Sequence, residues 1–116
     1  MTGSIEAAVT ESIEILAWSG CPSHDEARER LTALLHDLGR PDVEVRVRWI
    51  ETEEEAREVA FVGSPTFRWR GQDLLPPDPA TPVGLACRVY RRRDGRASPL
   101  PDPDDLREAV QRALSA

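Results

Sequence analysis

Hydrophobic positions along the chain alternate between two periods. Ile13, Ile15, Leu16, Ala17 and Trp18 form a short apolar run closed by Ser19-Gly20, with the length and make-up of a buried strand. Ala27, Leu31, Leu34, Leu35 and Leu38 then recur at helical spacing. Pro22 occupies a first helical position, Asp25 and Glu26 load the first turn, and Gly39 and Pro41 follow the end. This pattern opens a helix directly behind Cys21. Val43, Val45, Val47 and Trp49 alternate with Glu44, Arg46 and Arg48, predicting a strand with one charged face that suits a sheet edge. Thr52-Glu53-Glu54-Glu55 has the spacing of a capping box and predicts a short helix through about Ala60.

Phe61-Val62-Gly63-Ser64-Pro65-Thr66 ends that helix, and Phe67 and Trp69 alternate with Arg68 and Arg70 as a third strand stopped by Gly71. Pro76, Pro77, Pro79 and Pro82 forbid regular structure over residues 72–86, a long loop of the kind that carries function or motion. Cys87-Arg88-Val89-Tyr90-Arg91 reads as a fourth strand and Asp94-Gly95 as a turn. Asp102 and Pro103 read as the cap and first residue of a closing helix, on which Leu106, Ala109, Val110, Ala113 and Leu114 share a face. A βαβ start requires its two strands to be parallel, while strands three and four can be antiparallel neighbours. Residues 1–12 are expected as a flexible tail and 13–116 as one domain.

Composition narrows the function. With 116 residues, 40% of them apolar and 31% charged, the chain suits one soluble globular core. No run nears the ~20 apolar residues of a membrane span, and the start lacks the features of a signal peptide, so no membrane partner and a cytoplasmic location are expected. Twenty-one acids against fifteen bases give a net charge of −6, which argues against nucleic acid as a partner. Two cysteines are too few for a disulfide scaffold and are expected as reduced or chemically active thiols.

Gly20-Cys21-Pro22 after the first strand and Gly63-Ser64-Pro65-Thr66 before the third resemble the thioredoxin fold in its short, glutaredoxin-like form. That resemblance covers residues 12–115 and implies a βαβ-α-ββα order, an α/β four-stranded mixed sheet flanked by helices. Phe61 to Thr66, with Gly84-Leu85-Ala86-Cys87-Arg88-Val89-Tyr90, is also similar to a group of small bacterial thioredoxin-like proteins, some with selenocysteine. The resemblance implies a thiol oxidoreductase or thiol-transfer protein without a cofactor, acting on a small thiol or protein disulfide. In it Pro65 matches the family's cis-proline, and the peptide of Ser64, with Thr66 beside it, presents backbone polar groups to an extended substrate next to Cys21. The chain departs from the family's CxxC: Cys21-Pro22-Ser23-His24 places His24 where a resolving thiol would stand. A mixed disulfide on Cys21 must then be released by Cys87 or by an external low-molecular-weight thiol.

Each candidate also has a plain structural reading. A cysteine at a helix N-terminus is favoured as a thiolate by the helix dipole and free N–H groups, and cysteine is not a favoured cap. His24 either tunes that thiol and shuttles a proton or is a first-turn surface histidine. In a simple hairpin Cys87 would stand four residues, ~13 Å, from Cys21, beyond the ~7 Å Cα limit of a disulfide. It is therefore either carried back by the 72–86 loop as a catalytic partner or a core cysteine. Trp18 is placed to wall the thiol's pocket, whereas Trp49 and Trp69 suit the core or a sheet face. Arg88, Arg91, Arg92, Arg93 and Arg96 either hold an anionic substrate or form a solvated face.

Two other function classes compete. No metal is assigned, yet Cys21, His24 and Cys87 would make a Cys₂His set for a soft ion if they converged, and with Asp25 they bear a loose likeness to organomercurial lyase chemistry. The other class is a redox-inactive module that docks a partner along the Pro65 edge.

Overall fold

The computed structural model describes residues 11–115. Its first strand, β1 (Ser12–Ala17), lies inside the sheet with Ile13, Ile15, Leu16 and Ala17 fully buried, as a strand covered on both faces must be. Two residues expected within the 1–12 tail are engaged at the sheet: the Glu11 carbonyl accepts from the Glu44 N–H at 2.8 Å, and Ser12 pairs with Glu44. Residues 1–10 lie outside the described residues.

The crossover helix α1 (His24–Asp37) buries Ala27, Leu31 and Leu35 against the sheet. It starts two residues later than Pro22, with Ser23 as its N-cap and no side-chain cap bond. The delay has a local cause, since the Cys21 N–H closes a turn on the Trp18 carbonyl at 3.0 Å and uses up the residues ahead of the helix. Strand β2 (Glu44–Trp49) returns parallel to β1 as the predicted sheet edge, with Val45 and Val47 half-buried and its charges exposed. The capping box of α2 (Glu53–Glu58) forms as expected: Thr52 Oγ1 accepts from the Glu55 N–H at 3.0 Å, and the Glu55 carboxylate accepts from the Thr52 N–H at 3.2 Å.

Strand β3 (Thr66–Trp69) pairs antiparallel with the other side of β1, which makes the sheet mixed. The chain then reverses within two residues, Arg70 at φ +52° and Gly71 at φ +81°, a left-handed pair that matches sheet twist. This turn starts β4 (Gln72–Asp73), and the sheet order is β2-β1-β3-β4. Here the expected fourth strand at 87–91 is corrected. β4 holds the place beside β3; of the expected strand, Cys87 makes one isolated bridge to Ser64 and β5 (Tyr90–Arg91) pairs in a separate hairpin with β6 (Ala97–Ser98) around the Asp94-Gly95 turn.

The last helix, α3 (Pro103–Ser115), buries Leu106, Ala109 and Val110. Helices α1 and α3 share one core with Ile13, Ile15, Phe67, Tyr90 and Leu100, and α2 contributes Ala56 to a second with Leu16, Ile50 and Phe61. Ile15 and Leu16 point to opposite faces of β1, so the helices sandwich the sheet. No helix among the described residues is long and apolar enough to cross a membrane.

One carboxylate joins the last two units. Asp102 accepts from the Arg93 N–H and the Asp104 N–H, both at 2.9 Å, tying the β5-β6 hairpin to the start of α3. Those two donors, Arg93 first, hold its carboxyl below the ordinary carboxylate range. A group whose folded value lies below its unfolded one contributes fully above ~4 and loses that contribution as pH falls through the folded value. Asp102→Asn should therefore lower the Tm at neutral pH, and the gap to wild type should close as the pH is taken below ~4 in thermal melts. A gap independent of pH would remove the role of the charge.

Candidate functional site

The antiparallel pairing of β1 and β3 places the end of one strand beside the start of the other, with Leu16 opposite Thr66. Whatever follows β1 thus meets whatever precedes β3. Past β1 the indole of Trp18 lies on Gly20, and the Glu51 carboxylate grips Ser19 by its N–H at 3.0 Å and its hydroxyl at 2.7 Å. These two bonds hold the Glu51 carboxyl below its ordinary value and fix the turn against the end of β2. Cys21, held in that turn, is 0% exposed, and its S–H donates to the Ser64 carbonyl at 3.4 Å.

The Ser64–Pro65 peptide is cis, and Ser64, Pro65 and Thr66 are all buried. Thr66 Oγ1 donates to the Gly63 carbonyl at 2.6 Å and accepts from Arg88 Nη1 at 3.1 Å. Arg88 Nη2 donates to the Leu75 carbonyl at 2.6 Å, and its guanidinium lies 4.5 Å from the centre of the Tyr90 ring. The Tyr90 hydroxyl donates to the Pro65 carbonyl at 2.6 Å, and burial pushes this phenol well above its ordinary value, so it remains a donor. Arg88 is only 4% exposed.

Ser64 also receives the chain that returns from the proline-rich loop. Its N–H donates to the Ala86 carbonyl and its carbonyl accepts from the Arg88 N–H, both at 2.8 Å, forming a parallel bridge between Ser64 and Cys87. Gly63 makes this approach possible: at φ +133° it faces Arg88 so closely that a Cβ would lie 2.7 Å from Arg88 Cα and 2.8 Å from its nitrogen. The ~13 Å separation expected for Cys87 is thereby overturned. Because β4 takes the place beside β3, the loop carries Cys87 back to the other end of β3, where Cys21 lies. Cys87 is not a core cysteine but an exposed one. Its hydrogen-bonding contact with the Cys21 sulfur, with some loss of water and the charge of Cys21, pushes the Cys87 thiol up to about 11.

Cys21, Ser64, Pro65, Thr66 and Cys87 therefore meet at one end of the sheet, with Trp18 alongside. His24 takes another direction. Its ring meets Trp49 edge-on with centroids 4.8 Å apart, its Nδ1 lies 3.3 Å from Asp25 Oδ1, and no hydrogen bond joins it to Cys21 among the described residues. Nor do three His, Cys, Asp or Glu side chains converge there as metal ligands, so the Cys₂His set does not form. Of the arginine cluster, Arg91, Arg93 and Arg96 are exposed and partnered within their own chain: Arg91 donates to the Gly95 carbonyl, Arg93 pairs with Asp105 and Glu108, and Arg96 lies near Asp94. Gly63, Glu51 and Tyr90 escape a sequence reading because their partners are distant in the chain; the alternation at Arg88-Val89-Tyr90 is visible but puts Arg88 on the solvated face.

No family model, curated protein or solved structure matches the chain.

Adding one carbon at Gly63 would drive Cβ into backbone that cannot yield and force a side chain into a left-handed conformation. Gly63→Ala should cost about 1–3 kcal/mol of stability by chemical denaturation and speed alkylation of Cys87 as the 86–88 segment lifts. Unchanged stability and labelling would show that the bridge is not seated as described.

Proposed function

We propose that this chain is a thioredoxin-like thiol oxidoreductase whose redox centre is the pair Cys21 and Cys87. The observation that carries the reading is the double role of Ser64, which accepts the Cys21 S–H and bridges to Cys87, so that the two cysteines meet on one peptide group. The mixed sheet with a βαβ start, helices on both faces and the Pro65 turn beside the cysteine after β1 support the fold resemblance. The partner thiol that CPSH lacks is supplied by a distant segment instead of the next turn of helix.

The chemistry follows from the pairing. Oxidation joins the two Sγ atoms and releases two electrons and two protons, which a substrate disulfide takes up to become two thiols. Reduction reverses the exchange. A raised Cys87 thiol stays protonated through the neutral range and must give up its proton before it can exchange. A reducing cytoplasm would supply the small thiols that return the pair to this state.

In glutathione redox buffers the wild-type protein should lose both thiols in one two-electron transition, its mass falling by two hydrogens with no adduct, while Cys21→Ser and Cys87→Ser each retain one thiol. Two independent transitions, or none, would rule out the dithiol. Two adjacent thiols also suit a soft ion such as Hg²⁺, and metal retained by the reduced protein through gel filtration, lost in either serine variant, would favour that second reading.

A further inference from the structure

An extended peptide binds a protein edge by taking free backbone N–H and C=O groups. On the sheet side of the cysteines the backbone groups are those of Ser64, and both are already taken, by the Ala86 carbonyl and the Arg88 N–H. The occupying segment is firmly seated. Gly63 packs against the Arg88 backbone, and the Arg88 side chain is buried with bonds to Thr66 and Leu75. A peptide would have to strip two backbone hydrogen bonds and unseat a buried guanidinium before it met Cys21.

The two thiols also differ in access. Cys21 has none of its surface exposed, whereas Cys87 is exposed and is flanked by Ala86, also exposed, and Val89 at 72%. The cleft of about 430 Å³ between α1 and α3 and the one of about 330 Å³ beneath the proline-rich loop are lined by neither cysteine. The approach from solvent leads to Cys87.

Resting on the dithiol reading above, we infer that the substrate is a small soluble disulfide, or its thiol in the reverse direction, and that exchange takes place first at Cys87 Sγ. In the oxidising direction Cys87, protonated at rest, first loses its proton to solvent. Its thiolate attacks one sulfur of R–S–S–R, a Cys87–S–R bond forms, the old S–S bond breaks, and the departing thiolate takes a proton back from solvent, so that this step quickens as pH rises toward the raised value of the thiol. Cys21 then gives up its proton and attacks Cys87 Sγ, closing the Cys21–Cys87 disulfide, and the second R–S⁻ leaves with that proton. Two cysteine thiols are oxidised to one disulfide while one R–S–S–R is reduced to two R–SH. Ser64, whose carbonyl holds the Cys21 S–H, keeps the second thiol facing the mixed disulfide. The arrangement reverses the expectation drawn from the sequence, in which Cys21 makes the first attack.

The test compares Cys21→Ser and Cys87→Ser exposed to glutathione disulfide and, separately, to a disulfide-linked extended peptide, followed by intact mass. Cys21→Ser should gain one glutathione adduct, Cys87→Ser should gain it about tenfold more slowly or worse, and the peptide disulfide should label Cys21→Ser about tenfold more slowly than glutathione disulfide. Thermal unfolding of both variants checks the fold, and the pair Cys21→Ala and Cys87→Ala repeats the comparison if serine disturbs the buried position. Labelling of Cys87→Ser as fast as Cys21→Ser, or of Cys21→Ser by peptide as fast as by glutathione disulfide, would overturn the inference. The wild-type protein decides the dithiol separately: ending as the internal disulfide supports it, and stopping at a stable adduct overturns it.

Discussion

The peptide group of Ser64 is the hub of the described structure at the cysteine end of the sheet. Its carbonyl accepts from both the Cys21 thiol and the Arg88 N–H, and its N–H donates to the Ala86 carbonyl. Those two backbone bonds are the main-chain tie of the Cys87 segment to the turn before β3, at the end of a loop rich in prolines that cannot donate. Arg88 and Tyr90 brace the same turn from behind. A buried guanidinium without a carboxylate is costly unless its N–H groups find acceptors, and here Thr66 Oγ1, the Leu75 carbonyl and the Tyr90 ring serve.

The fold delivers the two halves of this arrangement by different means. The Cys21 turn and the Pro65 turn meet because β1 and β3 are antiparallel neighbours, a consequence of sheet order that fixes both turns at one end. Cys87 arrives at the end of a long loop, held by two backbone hydrogen bonds to Ser64 in a seat cleared by the bare α-carbon of Gly63. Ser64 Oγ, fully buried, has no hydrogen-bond partner among the described residues, so the hub is used through its backbone and not its side chain.

Most of the scaffold was legible in the sequence because it rests on local rules. The capping box at Thr52 and Glu55, the charged face of Glu44, Arg46 and Arg48 on an edge strand, and the Asp102 cap all express interactions between residues a few positions apart. Two local readings missed by small physical margins. Arg70-Gly71 is not a strong hairpin dipeptide, yet it turns the chain and gives β4 the edge that 87–91 was expected to fill. The Cys21 amide closes a turn on Trp18 instead of opening the helix, which moves α1 to His24 and turns that histidine toward Trp49. The position of Cys87 was not legible, because it depends on where a long loop lands. Arg88 misled for the same reason, as its alternation suits an exposed face and only the packing shows it buried.

That long loop also sets when the site exists. In a CxxC motif the two sulfurs are neighbours in any conformation of the chain, folded or not. Cys21 and Cys87 are neighbours only after β2, α2 and β3 have been placed between them, and the entropy of closing so long a segment is met by the packing of the whole domain. The chemistry of the pair is thus a property of tertiary order, present in the native ensemble and absent from the unfolded one.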